Sequence, residues 1–132
     1  MVDYVATLRE GILEAYTGIV TGLKNTDKGM YIATDCITFS LSNITFLVVL
    51  LLPHVQAILE LVQRSLADEE RSDNSVKLSL GLIGDLADAF PAGQIKQHLL
   101  SEWVAQALRS KGRFSAEAKK TLRWAREVSR SM

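Results

Sequence analysis

The sequence predicts an all-α fold in which antiparallel helical hairpins stack as an α-solenoid. Apolar residues recur at three- and four-residue steps through most of the 132 residues, which is the period of an amphipathic helix. Only two prolines occur, and the glycines mostly fall near the ends of the periodic segments, which favours long helices over strands. The apolar stripes are too broad for one hairpin to bury, so each hairpin needs the next to cover it.

About five helices are expected from this period and from the turn-forming residues between the periodic segments. The polar run at 25–29 should end the first helix, and Pro53 should lie in the first turn of the second, where its missing N–H is tolerated. The third helix is apolar nearly all round, which predicts burial between neighbours. We expect a kink near Ser101 in the fourth helix and an N-cap at Ser115 for the fifth. The predicted helices are about 3–24, 53–67, 75–90, 94–110 and 115–130, in a single domain, 1–132.

Composition is ordinary for a soluble globular protein, with 48% apolar and 23% charged residues. Fifteen basic residues balance fifteen acidic ones, so no global field favours nucleic acid or an anionic membrane as a partner. The single cysteine, Cys36, cannot form an internal disulfide and indicates a reducing compartment. The first four residues lack the basic and apolar blocks of a signal peptide.

No pattern in the chain indicates an enzyme. His54 and His98 are far apart and have neither metal-ligand nor catalytic spacing. A Gly-rich phosphate loop, a paired-cysteine site and a nucleophile elbow are all missing from the sequence. We therefore expect a binding protein without catalytic residues, metal or cofactor.

The segment 30–48 departs from the helical period and is rich in Ile, Thr, Phe and Val, with Asp35 as its only charged residue. With the apolar residues that follow, up to 52, it is long enough to raise a membrane-anchored alternative. Asp35, the scattered polar residues and the lack of a basic flank argue against that alternative. A second interpretation is a translated intron of fungal type, because the residues at 29–31, 41–43 and 46–48 are compatible with codons spelling the donor, branch-point and acceptor signals in that order.

Three segments resemble the C-terminal HEAT repeats of the importin-β (karyopherin-β) family, and they occur in that family's order and at compatible spacing. These segments are Leu8-Arg9-Glu10-Gly11-Ile12-Leu13-Glu14-Ala15-Tyr16, then Gly81-Leu82-Ile83-Gly84-Asp85-Leu86 followed by Phe90-Pro91, and finally Thr121-Leu122-Arg123-Trp124-Ala125-Arg126-Glu127. The segment 30–48 interrupts the resemblance. Because the first helix has no partner upstream of Met1, we expect the chain to be a solenoid fragment.

This resemblance implies a function in protein import into the nucleus. Members of the family are superhelices of HEAT repeats that carry cargo through nuclear pores, so the chain would be found in the cytoplasm, the nucleus and at the nuclear envelope. The family implies three partners: the basic segment of an importin-α-type adaptor, nucleoporins, and the GTPase Ran through the parent receptor. It implies neither nucleic acid nor membrane as a partner.

Trp124 matches a tryptophan of the family's final helix that contacts the adaptor, so the resemblance implies a protein-binding role. An indole face next to acidic groups suits an arginine-rich helix through stacking and cation–π contact. The alternative is a packing tryptophan on an amphipathic helix. Trp103 lies among apolar residues that include Leu100 and is expected to be core.

Two charged features have a functional and a plainer interpretation. Asp68, Glu69 and Glu70 form an acidic turn that could meet basic ligand residues, although a charged loop is usually only solvated. The closing helix is basic, which suggests nucleic-acid binding. Interspersed glutamates and the helix dipole favour a solvated capping helix instead. The basic residues are Lys119, Lys120, Arg123, Arg126 and Arg130.

Overall fold

The computed structural model describes residues 2–29, 37–90 and 95–131, with side chains described in 4–22, 51–90 and 95–131. Within these residues the backbone forms six helices and no strand, which confirms the all-α prediction. In chain order the helices are α1 (Val2–Gly29), α2 (Ile37–Ala67), α3 (Asp73–Ala89), α4 (Lys96–Leu99), α5 (Glu102–Arg109) and α6 (Ala116–Ser131).

The first two helices are longer than the sequence suggested. Helix α1 continues through the polar run that was expected to stop it. Helix α2 begins at Ile37, so Pro53 lies inside it rather than in its first turn. An internal proline costs about 3 kcal/mol, because it removes a backbone donor and crowds the carbonyl four residues earlier. Pro53 is exposed while Leu51 and Val55 beside it are buried, so the packing of their face offsets this cost.

The predicted insert, 30–48, falls largely outside the part of the chain that can be described. Residues 30–36 lie outside the described residues, and the side chains of 37–48 lie outside them as well. The translated-intron interpretation of this segment therefore stays a prediction.

Helix α3 is the centre of the fold and packs against α1, α2 and α6. Its N-cap is Ser72, whose Oγ accepts a hydrogen bond from the Ser75 backbone N–H at 3.0 Å, so the helix starts at Asp73 rather than at Ser75. Leu80, Leu82, Ile83 and Leu86 are at most 1% exposed although they point in different directions around the helix. The prediction that this helix is buried between neighbours is confirmed.

The helices form two layers. Helices α1, α3 and α6 pack side by side, while α2 contacts α5 in the other layer and also packs against α1 and α3. This is the arrangement expected when each hairpin covers the apolar stripe of the next. The largest fully buried side chains come from both layers and form one core: Leu13, Val20, Val55, Ile58, Val62, Leu80, Leu82, Ile83, Leu86, Ile95 and Val104.

The predicted fourth helix is divided into α4 and α5, close to the expected kink. Ser101 adopts an extended backbone with ψ 143°, and its hydroxyl donates to the His98 carbonyl at 2.7 Å. Helix α4 ends at Leu99 and α5 begins at Glu102, so Leu100 lies outside both helices. The helical period placed Leu100 inward, but it is 70% exposed. Trp103 is half-buried and packs against the core, in agreement with its expected role.

Candidate protein-binding surface

Helices α3 and α6 run parallel and in register, so a groove lies between them. Three contacts join residues separated by the same 40 positions in sequence, which is possible only if the two helices advance together. The contacts pair Lys77 with Glu117, Gly81 with Thr121, and Gly84 with Trp124. We call this surface the α3–α6 groove.

Trp124 lies in the α3–α6 groove with one edge of its ring against Gly84. A Cβ atom placed on Gly84 would lie 2.3 Å from Cζ3 of Trp124, which shows how closely the ring approaches the α3 backbone. The side chain is nevertheless 37% exposed. Part of the ring therefore packs on α3 while part of it faces solvent, and the protein-binding role of Trp124 stays a prediction.

An ion pair joins α3 and α6 near the N-terminal ends of the two helices. Lys77 Nζ donates to Glu117 Oε2 at 2.8 Å, and both side chains are substantially exposed. The hydrogen bond from Lys77 lowers the pKa of the Glu117 carboxyl, and the same bond raises the pKa of the Lys77 ammonium. An exposed pair of this kind adds little stability, and it lies in the same register as the contacts of Gly81 and Gly84.

The acidic turn is partly occupied by contacts within the chain. Asp68 forms an ion pair with Arg9 of α1 and accepts from the Glu70 backbone N–H at 3.0 Å. The backbone N–H of Glu70, followed by the Arg9 guanidinium, holds the pKa of Asp68 below its usual value. Glu69 and Glu70 are exposed. Of the three predicted residues, Asp68 thus links the turn to α1, whereas Glu69 and Glu70 project from it.

Two further carboxylates, which the sequence did not single out, join the three side-by-side helices at the same end. Glu10 of α1 accepts from Ser72 and from Asn74 Nδ2, the latter at 2.9 Å, and these bonds lower its pKa. Asp73 accepts from the Ser115 backbone N–H at 3.1 Å, and bonding to Ser115 lowers its pKa too. No local pattern signals these contacts, because their partners are more than forty residues away.

Trp124 and the acidic turn are not adjacent. Trp124 is level with Gly84, twelve residues along α3 from Ser72 at the end of the acidic turn. At 1.5 Å per residue this separation is about 18 Å.

The basic closing helix is mostly a solvated face, with one exception. Arg123 and Arg130 are exposed. Arg126 is half-buried, and its Nε donates to the Leu108 carbonyl at 2.9 Å with Nη2 donating to the same oxygen. The Ser115 hydroxyl oxygen accepts from the Ala118 N–H at 3.1 Å, which confirms the predicted N-cap.

An apolar strip remains exposed along the side of α1 away from α3. Leu8, Ile19 and Tyr4 are 50%, 49% and 72% exposed, and they line a shallow groove with Ile12 and Ala15. Leu13 and Val20, one face further round, are buried. The broad stripe predicted for this helix is thus half covered.

Metal binding and membrane insertion would each require a feature that the described residues do not show. Within residues 2–29, 37–90 and 95–131, no group of three or more His, Cys, Asp or Glu side chains is placed to hold a metal ion. In the same part of the chain, no helix has an apolar stretch that meets the requirements for crossing a bilayer.

Known proteins resemble this chain in both sequence and fold. A family model described as importin subunit beta-1-like, TPR repeats, matches residues 1–46 and 35–112, and the two matches overlap within the predicted insert. Importin subunit beta-1 of Schizosaccharomyces pombe is 35% identical over 129 residues, and that of Saccharomyces cerevisiae is 32% identical over 130 residues. These alignments cover 96% and 95% of this chain but 13% of each relative.

Solved structures of importin-β are similar to this chain in fold. A crystal structure of importin beta superimposes with a TM-score of 0.77 at 34% identity, covering 99% of this chain and 13% of that one. A structure of yeast importin-beta, Kap95p, gives a TM-score of 0.72 at 31% identity, covering 98% of this chain and 13% of that one. A further Kap95p structure, also with a TM-score of 0.72 at 31% identity, concerns the binding that induces the switch loops of RanGDP to adopt the GTP-bound conformation.

Proposed function

The chain belongs to the importin-β family, and we propose that it acts as part of a nuclear import receptor and binds the basic segment of an importin-α-type adaptor. Because it spans 13% of the length of its relatives, carrying cargo through the pore and binding nucleoporins or Ran are assigned to a whole receptor. Such a receptor moves between the cytoplasm and the nucleus.

The half-exposed ring of Trp124 is the observation that carries the proposal. A guanidinium group stacks well on an indole face, and the interaction strengthens as water is excluded. One edge of the ring is held against α3 while 37% of the side chain stays accessible. A ring fixed in this way loses little side-chain freedom on binding, which favours affinity.

The exposed acidic residues of the turn supply the second contact. The turn that carries Glu69 and Glu70 ends at Ser72, about 18 Å along α3 from the level of Trp124, a span that a basic helix of about three turns covers. Charges at the rim of an interface mainly raise the association rate and fix orientation, while aromatic anchors dominate affinity. We therefore assign Trp124 the larger energetic role, and Glu69 and Glu70 a steering role.

The two alternative functions are a small membrane-anchored protein that uses residues 30–52 and a generic helical scaffold without a transport role. Similarity to importin-β along 95% or more of the chain favours a transport receptor over a small membrane-anchored protein. A generic helical scaffold would share the fold but would have no affinity for a basic segment.

The test uses a full-length importin-β in which this chain replaces the matching segment. Affinity for an adaptor's basic segment is measured by fluorescence anisotropy, with Ran-GTP binding as the control for the rest of the receptor. Trp124→Ala should weaken adaptor binding by about 1–3 kcal/mol, the usual loss for a central aromatic anchor. Glu69→Lys with Glu70→Lys should mainly slow association, and that effect should diminish at high salt.

Unchanged adaptor affinity in the Trp124→Ala receptor, together with a lower melting temperature, would assign Trp124 to packing alone and overturn the proposed site. A chimeric receptor that binds Ran-GTP normally but has no affinity for the adaptor would favour the scaffold alternative.

A further inference from the structure

Trp124 fits against α3 only because position 84 has no side chain. A Cβ at Gly84 would lie 2.3, 2.8 and 2.9 Å from Cζ3, Cε3 and Cη2 of the indole ring. Carbon atoms in contact are normally separated by about 3.5–4.0 Å, so any other residue at this position would force the ring to move. Glycine is also the least favourable residue after proline inside a helix, so its presence there calls for a packing reason.

Gly81 provides an internal comparison one turn earlier on the same face of α3. A Cβ at Gly81 would lie 3.6 Å from Cγ2 of Thr121, which is an ordinary contact. Both glycines are inside α3 and both face α6. The close approach is therefore specific to the pair formed by Gly84 and Trp124.

The contact controls which part of the indole is available. The three ring atoms nearest to Gly84 belong to the benzene half of the indole, so this half is anchored on the α3 backbone. The side chain of Trp124 stays 37% exposed, and an exposed aromatic face suits a planar cation better than a compact, strongly hydrated ammonium.

We infer that Gly84 is the positioning residue for Trp124, and that it holds the ring in the pose that recognises arginine side chains in preference to lysine. This inference rests on the proposed function for its ligand, since the basic segment is the partner assigned to Trp124. The positioning itself depends only on the contact between α3 and α6.

The first measurement follows the ring without any ligand. In a Trp103→Phe background Trp124 is the only tryptophan, so acrylamide quenching of fluorescence reports its accessibility. Gly84→Ala should raise the quenching constant about twofold, because the added methyl displaces the ring towards solvent. Gly81→Ala should leave it unchanged. Equal quenching in all three proteins would overturn the positioning inference.

The second measurement tests the ligand class with two synthetic helical peptides, one arginine-rich and one with every arginine replaced by lysine. The parent chain should bind the arginine peptide about tenfold more tightly. Gly84→Ala should reduce this preference to nearly none, while Gly81→Ala should keep it. A retained preference in Gly84→Ala, with increased quenching, would show that the ring pose does not select arginine.

Failure of the proposed function and failure of the positioning inference would give different results. If the parent chain binds neither peptide, the proposed function fails, and the quenching comparison still decides the role of Gly84. If Gly84→Ala does not fold, the double variant Gly84→Ala with Trp124→Leu should restore helical circular dichroism, because the smaller side chain removes the overlap. A double variant that stays unfolded would show that the added methyl does not act through Trp124, and the inference would be wrong.

Discussion

Arg126 should contribute more to stability than any other basic residue of α6, although its position on a basic helix suggested a solvated side chain. Its guanidinium donates twice to the Leu108 carbonyl, from Nε at 2.9 Å and from Nη2. Leu108 is the penultimate residue of α5, so its carbonyl has no partner within the helix. Arg126 thus caps the C-terminal end of α5 and ties it to α6, with a favourable charge for the helix dipole.

The expected cost of Arg126→Ala follows from these contacts. Hydrogen bonds to charged groups contribute about 1.5–3 kcal/mol, and water can replace the guanidinium at the partly open end of α5. Alanine returns a few tenths of a kcal/mol through its higher helix propensity, roughly offsetting a small part of the loss. The free energy of unfolding should therefore fall by about 1–2 kcal/mol, which corresponds to about 4–8 °C in melting temperature for a chain of this size.

Arg123→Ala is the matched control, because Arg123 is exposed on the same helix and the substitution changes propensity equally. Both variants are compared with the parent chain by urea unfolding followed by circular dichroism at low protein concentration. Arg123→Ala should change the free energy of unfolding by less than about 0.5 kcal/mol. If the two variants unfold at the same urea concentration, the bonds to Leu108 add nothing and the assignment of Arg126 as a cap is wrong.

Four further outcomes are expected. Trp103→Ala should lower the free energy of unfolding by about 3 kcal/mol, since Trp103 packs against the core; a loss below 1 kcal/mol in urea unfolding would contradict this. Folding lowers the pKa of the Glu10 and Asp73 carboxyls, so their contribution to the free energy of unfolding is present above the unfolded-state pKa and is lost as pH falls through the folded-state pKa. Urea unfolding between pH 6 and 3 should show this loss of stability, and the loss should be smaller in Glu10→Gln. The exposed apolar strip of α1 should cause concentration-dependent self-association in sedimentation experiments, and Leu8→Glu should reduce it; equal self-association in both proteins would contradict this. Transcript reads should lack the codons of 30–48. Deleting these residues should raise the solubility of the protein, because an uncharged β-prone run is removed. If every transcript retains these codons and the deletion unfolds the protein, the intron interpretation is wrong.

The solenoid architecture could be predicted because its determinants are local and repeated. The helical period, the all-round apolar character of α3 and the N-cap at Ser115 each depend on residues within a few positions of one another. The start of α2 could not be placed in the same way. Pro53 is a strong local signal for a helix start, but the packing of its neighbours Leu51 and Val55 decides the outcome, and packing depends on the tertiary structure.

The sequence could propose Trp124 as a candidate site residue, but it could not indicate which residues hold the ring in place. Resemblance to a family drew attention to Trp124, yet neither the resemblance nor the composition indicated which part of the ring would be exposed. That depends on Gly84, forty positions away in sequence, and on α3 and α6 advancing in register. The polar contacts of Glu10 with Asn74 and of Arg126 with Leu108 are equally non-local.

The non-local contacts also explain how stability and function are divided in this small domain. The stacking of α1, α3 and α6 is fixed at one end by carboxylates that reach the next helix in the layer, through Glu10, Asp73 and the pair of Lys77 with Glu117. Seven residues beyond Lys77 along α3, Gly84 and Trp124 come together through a close packing contact. The contact of position 84 with position 124 depends on the register of α3 and α6, because the neighbouring residues Ile83 and Asp85 point about 100° away around the helix. Because an exposed ion pair adds little stability, Glu117→Ala should leave Trp124 in place, and acrylamide quenching of Trp124 should be unchanged. Increased quenching would show that the ion pair is needed to keep the register.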